Sequence, residues 1–410
     1  MEWLKTTLGE VCDVRDGTHD SPKYQESGYP LVTSKNLKNG RINLDKIKYI
    51  SESDFTKINE RSAVHLGDVL FAMIGTIGNP VVIKYLPNFA IKNVALFKPK
   101  EMCDSQFLKY YLESPYVIEK MGSEAKGTTQ KFVGLGYLRN FPVDIPPISE
   151  QKRIVAILDQ AFADIEQARA KTEQNLKNAR ELFESYLQQV FSQRGEDVQS
   201  VELREVVDIL TDYHANGSYK VLKQHVELKE QEDFAWMVRS TDFEKKFKNN
   251  KRYITEHAYN YLTKSKLFGG EIIMSKIGNA GKVYFMPETD RPCSLAMNLF
   301  LIRLDPSKAN NEYIYRYLNS SSGKAQIAPR LKGAATQTIT KDNVRSLQIP
   351  MPSLDGQQKA VETLKKLEKE IENLEGLYMR KLDNIDTLKK SILQKAFSGE
   401  LTKEKEGAVA

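Results

Sequence analysis

Residues 150–192 contain neither proline nor glycine, and apolar or small side chains recur along them at steps of three and four: Leu158, Ala161, Ile165, Ala168, Thr172, Leu176, Ala179, Phe183, Tyr186 and Val190. A second set with the same spacing begins 206 residues later (364 − 158): Leu364, Leu367, Ile371, Leu374, Tyr378, Leu382, Ile385, Lys389, Ile392 and Ala396. A narrow stripe of this period predicts a long helix whose seam is covered by another helix. Both copies take an extra four-residue step (Thr172 to Leu176; Tyr378 to Leu382), which predicts local relaxation of the supercoil there. Forty-odd residues at 1.5 Å each make a rod of roughly 60 Å, too long to lie on one globule.

The segments before the rods read differently. Short β-branched and aromatic runs such as Val64 to Phe71, Val81-Val82-Ile83 and Val94-Ala95-Leu96-Phe97 alternate with turns, a strand pattern. One helix is expected near Gln106–Glu113, ending before Ser114-Pro115 because the residue preceding proline leaves the helical region. The second half repeats this grammar. Gly67-Asp68-Val69-Leu70-Phe71 with Ile74-Gly75 and Gly78 matches Gly270-Glu271-Ile272-Ile273-Met274 with Ile277-Gly278 and Gly281. The segment Lys126-Gly127 through Phe191-Ser192 reappears as Lys332-Gly333 through Phe397-Ser398. Internal repetition of this kind fixes a layout: two tandem α+β globules separated by two long helices, packed as an antiparallel coiled coil with pseudo-two-fold symmetry. The expected boundaries are globule 1–147, rod 148–194, globule 195–352, rod 353–399 and tail 400–410.

Composition adds little. The 410 residues are 40% hydrophobic and 28% charged, ordinary for a globular protein. No apolar run approaches a membrane span, and the start lacks a secretory pattern. Cys12, Cys103 and Cys293 stand singly, which suits a reducing, cytoplasmic setting. A net charge of +6 is compatible with a phosphate-bearing partner.

Catalytic motifs are missing. Gly122 to Gly127 has the gap of a phosphate loop, but Thr128 stands where lysine is needed. Glu124-Ala125-Lys126 and Glu227-Leu228-Lys229 mimic a nuclease acid-x-Lys pair, yet the repeat places Arg330 and Ser21 opposite the two acids. The five histidines form no metal or triad spacing, and His19, equivalent in position to His214, is read as a structural hydrogen bonder. No catalytic or metal-ligating residue is therefore assigned.

The chain resembles the specificity subunit of a type I restriction–modification system over essentially its whole length. The resemblance is carried by Asp16-Gly17-Thr18-His19, by Gly127-Thr128-Thr129-Gln130 and by Ile145-Pro146-Pro147-Ile148-Ser149-Glu150-Gln151-Lys152-Arg153-Ile154-Val155. In the second half it is carried by Ala335-Thr336-Gln337 and by Pro350-Met351-Pro352-Ser353-Leu354-Asp355-Gly356-Gln357-Gln358-Lys359-Ala360-Val361. Gly356 and Ala360 depart from Glu150 and Ile154, and Asp212-Tyr213-His214 replaces the Asp-Gly-Thr-His run. The resemblance implies a non-catalytic subunit in which each globule reads half of a bipartite DNA site and the rods set the gap. It implies two docked methyltransferase subunits carrying S-adenosylmethionine and methylating adenine, and two restriction/motor subunits in the complex that cuts. Docking on the spacer points to Gln151, Arg153, Leu158, Ile165, Leu176 and Phe183 on the first rod. On the second it points to Gln357, Leu364, Ile371, Leu382 and Ile392.

Base readers should be Arg, Lys, Asn, Gln, Ser or Thr on loops. Candidates in the first half are Thr33, Ser34, Lys35, Asn36, Lys38 and Arg41, with Lys126, Thr129, Gln130 and Lys131 at the base of the rod. In the second half they are Arg239, Ser240 and Thr241, then Lys276, Asn279 and Lys282, and Lys332, Thr336 and Gln337. Two other readings compete: a self-contained DNA endonuclease or methyltransferase, and a coiled-coil adaptor whose globules bind proteins.

Overall fold

In the computed structural model the two proline-poor stretches are the long helices Ile148–Ser192, of 45 residues, and Leu354–Phe397, of 44. The structure describes residues 3–128, 130–192, 198–248 and 250–402. Thr129, the expected boundary at 194–195 and residues 403–410 of the expected tail lie outside the described residues. The chain divides into two units that interleave its halves. The first takes the chain up to Glu173 and again from Tyr378; the second is Gln174–Leu377.

The first unit is built on four antiparallel strands in the spatial order Cys12–Asp16, Val94–Pro99, Val69–Ala72, Gly78–Val82. Val69–Ala72 is buried at every position, because alternate side chains serve two cores. Val69 and Phe71 pack with Phe107, Leu108 and Tyr111 of the helix Ser105–Glu113. Leu70 and Ala72 pack with Val32 and Ile91 of a second sheet. That sheet runs Lys48–Ile50, Tyr29–Thr33, Ala90–Lys92, with the last two strands parallel.

The second unit repeats the order with Val207–Asp212, Leu299–Leu304, Ile272–Ser275 and Val283–Phe285. Here too Ile272 and Met274 face one core and Ile273 the other. The accompanying sheet again holds a parallel pair, Ala235–Val238 with Cys293–Leu295. A strand of the segment leading to each rod closes its globule: Leu4–Thr7 pairs with Pro142–Ile145, and Gln199–Glu202 with Gln348–Met351.

Each rod is rooted by one buried glutamine. Gln151 Nε2 donates to the carbonyls of Met102 and Pro146, both at 2.8 Å, and its Oε1 accepts from the Asp104 amide at 2.8 Å. Gln357 makes the same three bonds to Lys308, Pro352 and Asn310. Backbone groups without strand partners are satisfied at both roots, which sets the direction in which each helix leaves.

Within the first unit the segment of the first rod up to Glu173 runs antiparallel to the end of the second. The Lys389 ammonium lies over the Phe162 ring and Arg169 pairs with Asp386. In the second unit Arg180 pairs with Glu375 at 2.6 Å. Gln151, Leu158, Ile165, Thr172 and Ala179 are buried at intervals of seven, and the next buried residue is Leu187. In the second rod Gln357, Leu364, Ile371 and Ile385 keep the same frame and are followed by Leu393. The seam therefore slips after Ala179 and Ile385, later than the Thr172–Leu176 step suggested.

Both rods end on an aromatic wedge. Phe397 sits edge-on to Phe107 and Tyr111, with ring centroids at 5.3 and 5.4 Å, in the first unit. Phe191 does the same to Tyr313 and Tyr317, both at 5.3 Å, in the second. Each globule thus buries the tip of the rod that belongs, in sequence, to the other half.

Candidate nucleic-acid interface

The most closely duplicated surface feature is a short loop ahead of each rod. Lys126 and Phe132 exchange backbone hydrogen bonds at 2.9 and 2.8 Å, and Lys332 and Thr338 do the same at 2.9 and 2.8 Å. The turn needs glycine. Gly127 (φ +102°) and Gly333 (φ +99°) lie in the left-handed region, and a β-carbon on either would stand 2.3 Å from the carbonyl oxygen of Gln130 or Thr336. Neighbouring strands hold the loops down: Gly75 N donates to Lys131 O at 2.8 Å, and Ile339 N to Lys276 O at 3.1 Å. Lys126, Gln130, Lys131, Lys332, Thr336 and Gln337 are all exposed. Of these, Lys131 bonds the Gly122 carbonyl at 3.3 Å; the other five side chains make no hydrogen bond or ion pair among the described residues.

The first unit adds Thr33–Arg41. Thr33, Ser34 and Asn36 have their polar atoms engaged within the protein. Asn36 Oδ1 accepts from Thr33 N (2.9 Å) and Oγ1 (2.8 Å), and its Nδ2 donates to Asn43 O (3.0 Å). Ser34 Oγ donates to Asn93 O at 2.8 Å. By contrast Lys35, Lys38 and Arg41 are exposed and unpaired among the described residues. His19 bridges Asp16 Oδ2 (2.8 Å) and Asn93 Oδ1 (2.9 Å), a structural bond as its position suggested.

In the second unit Arg239, Lys276 and Lys282 are held by acids. Arg239 grips Asp242 at 2.8 Å, ahead of Ser240 and Thr241 at the start of the helix Ser240–Glu244. Asn279 and Lys282 both reach Glu244, at 3.1 and 3.0 Å. Lys276 and Lys341 hold Asp212 at 2.9 and 3.3 Å.

Burial pushes the Asp212 carboxyl up, but hydrogen bonds and charge from Lys276 and Lys341 outweigh it and leave it below the usual carboxylate range. A depressed folded value adds stability that is complete above the unfolded pKa and lost as pH falls through the folded one. Asp212→Asn is therefore expected to destabilise the second unit at neutral pH and to match the unsubstituted chain in strong acid. Melting curves at about pH 7 and about pH 2, on either side of the carboxylate range, would check this. A pH-independent gap would mean that Asp212 acts through packing alone.

On the rods, Leu158, Ile165, Leu364 and Ile371 lie in the seam and Gln151 and Gln357 in the roots, all buried. Leu176, Phe183, Leu382 and Ile392 are half-buried, and Arg153 is exposed. What a further molecule can reach is the outer face, where Leu182, Leu377, Met379 and Leu388 are exposed among the polar groups, together with these half-buried edges; Leu374, expected in the seam, is exposed as well.

Two globules share one topology, and each presents the duplicated polar loop in differently furnished surroundings. The family model "Type I restriction modification DNA specificity domain" matches residues 1–175 and 195–378; the chain belongs to this family and is a type I restriction–modification specificity subunit. It is 23% identical over 393 residues to the Type I restriction enzyme MjaVIII specificity subunit of Methanocaldococcus jannaschii, covering 92% of this chain and 87% of that one. To the EcoKI specificity subunit of Escherichia coli K12 it is 23% identical over 403 residues, covering 91% and 82%. The crystal structure of the HsdS subunit from Thermoanaerobacter tengcongensis superposes with a TM-score of 0.62 at 20% identity, over 98% of this chain and 97% of that one. A chain from a study of assembly and conformational transition of the type I R-M system gives 0.73 at 19% identity, over 98% of both. These structural likenesses bear on the fold. No helix among the described residues is long and apolar enough to cross a membrane.

Proposed function

We propose that each unit reads one half of an asymmetric bipartite DNA site in the cytoplasm and that the paired rods set the gap between the halves. The observation that carries this is the contrast within the repeat. Scaffold positions are duplicated bond for bond, as at Gln151 and Gln357, whereas the polar groups around them differ: exposed Lys35, Lys38 and Arg41, unpaired among the described residues, against acid-bound Arg239, Lys276 and Lys282. Equal mounts with unlike tips suit two readers of unlike sequence. Repeated roots also offer two equivalent docking surfaces, so a partner present in two copies is natural.

That partner is a methyltransferase subunit carrying S-adenosylmethionine, which must draw the adenine out of the stack before methylating it. The chain itself selects the site and performs no chemistry. Two restriction/motor subunits complete the assembly that cuts. Co-expression with the cognate methyltransferase is expected to yield adenine methylation at a split motif, read by methylome sequencing. Methylation at an undivided motif, or methyl transfer or cleavage by the purified chain alone, would overturn the proposal.

A further inference from the structure

At the place where the second unit has the left-handed turn Lys246 (φ +49°) and Phe247 (φ +58°) without paired strands among the described residues, the first unit has a hairpin. Leu37–Lys38 and Arg41–Ile42 form a minimal antiparallel hairpin in which Lys38 lies opposite Arg41. Its two turn residues, Asn39 (φ +49°) and Gly40 (φ +67°), are both left-handed. This is the type I′ geometry that Asn-Gly favours and that matches the twist of the flanking strands. The base of the hairpin is fixed. Leu37, 1% exposed, sits in the core with Val32, Leu70 and Ile91, and Asn36 and Asn43 close it with bonds of 2.7 and 3.0 Å.

Cross-strand partners project from the same face of a ribbon, and like charges directly opposite one another are destabilising. Lys38 and Arg41 make such a pair, both exposed, with no acid bonded to either among the described residues. In the second unit Arg239 and Asp242 stand where Thr33 and Asn36 do, each pair closing a capping box, and the turn that follows carries the exposed Lys245, Lys246 and Lys248. An uncompensated pair of cations on a rigid tip points to an anion supplied from outside.

The hairpin also stands near the duplicated loop. Its approach is tied through Ser34 to the Asn93 carbonyl, and Asn93 precedes Val94, which pairs with Ala72. The next residue, Met73, accepts the amide of Val133 directly after the loop. Both features are therefore anchored at the same end of the two central strands of one sheet.

We infer that Lys38–Arg41 is a finger that enters the major groove at one half-site, with Arg41 reading a guanine and Lys38 binding backbone phosphate. The inference rests on the reading of each unit as a half-site reader and makes it specific. The major groove admits a two-stranded ribbon, and the arginine fork matches guanine O6 and N7. Thr33, Ser34 and Asn36 are then the mounting of the finger.

The test uses the full chain with its cognate methyltransferase. Arg41→Ala is expected to relax one base position of one half-site, with discrimination there falling roughly 10- to 100-fold and the other half-site unchanged. Arg41→Lys should not restore it, since the ammonium lacks the fork. Lys38→Ala should weaken binding to all sequences alike and lower the salt slope by about one. Because neither side chain bonds to the protein, melting curves of both variants should overlay the unsubstituted chain. A split motif that Arg41→Ala leaves intact, or only weakens uniformly, overturns the finger while half-site reading stands. Absence of a split motif with the unsubstituted chain overturns both.

Discussion

Phe191→Ala is expected to destabilise the second unit by about 3–5 kcal/mol, the range for truncating a buried aromatic, while leaving the first unit unchanged. Phe191 is 6% exposed and edge-on to two tyrosine rings, so truncation removes its burial, leaves a void and forfeits two favourable ring contacts. Tyr313 and Tyr317 carry the helix Asn311–Asn319, which packs on Ile272 and Phe300 of the central sheet, so the loss reaches the core. Hydrogen exchange resolved by residue is the measurement: protection should fall along Asn311–Asn319 and Ile272–Ser275 and hold along Ser105–Glu113. Phe397→Ala should give the mirror outcome. Equal loss of protection in both units after either substitution would mean that the aromatic tips do not belong to separate cores.

Inserting four residues after both Thr172 and Tyr378 is expected to add one or two unspecified base pairs to the methylated motif, with both half-sites unchanged. Four helical residues add about 6 Å along the axis and about 40° of rotation beyond a full turn. Base pairs rise about 3.4 Å each along the duplex, so the added length falls between one and two steps. Both rods must be lengthened together, since a single insertion would shift one seam against the other. Methylome sequencing of cells carrying the lengthened chain gives the answer directly. A change in the bases read, with the gap unaltered, would sink the idea that the rods set spacing.

Much of the architecture was legible because its causes are local or repeated. The absence of proline, and in the first rod of glycine, together with the apolar stripe, marks the rods, and Leu158, Ile165, Leu364 and Ile371 are buried as that stripe implies. Leu187 and Leu393 escaped notice because the seam slips by one residue after Ala179 and Ile385, so a fixed alternation of three and four selects Tyr186 and Ile392 instead. The parallel pairs of Tyr29–Thr33 with Ala90–Lys92 and Ala235–Val238 with Cys293–Leu295 were hidden for a different reason. Periodicity reports which face of a strand is covered, not which distant strand lies beside it.

The candidate site was legible as a composition and not as a geometry. The Thr33–Arg41 stretch reads as one polar loop, yet the protein divides it into half-buried, hydrogen-bonded mounts and exposed tips unpaired among the described residues, a division set by hydrogen bonds to Asn43 and Asn93. Asn39-Gly40 between two cations was the available signal for the hairpin. In the second half, acids distant in sequence, Asp212 and Glu244, bind Lys276 and Lys282, and no spacing rule reveals that.

The interleaved division of the chain has a consequence for biosynthesis. The second unit lies within one continuous stretch, Gln174–Leu377, whereas the first draws on residues from Tyr378 onward. At about 5–20 residues per second, a ribosome needs roughly 10–45 seconds to travel from Glu173 to Phe397. The N-terminal globule therefore waits, its Phe107–Tyr111 cleft open, until Phe397 has been made, and the order of maturation runs opposite to the order of the message. A stop codon between Leu377 and Phe397 would spare the later-made unit and leave the earlier-made one unfinished.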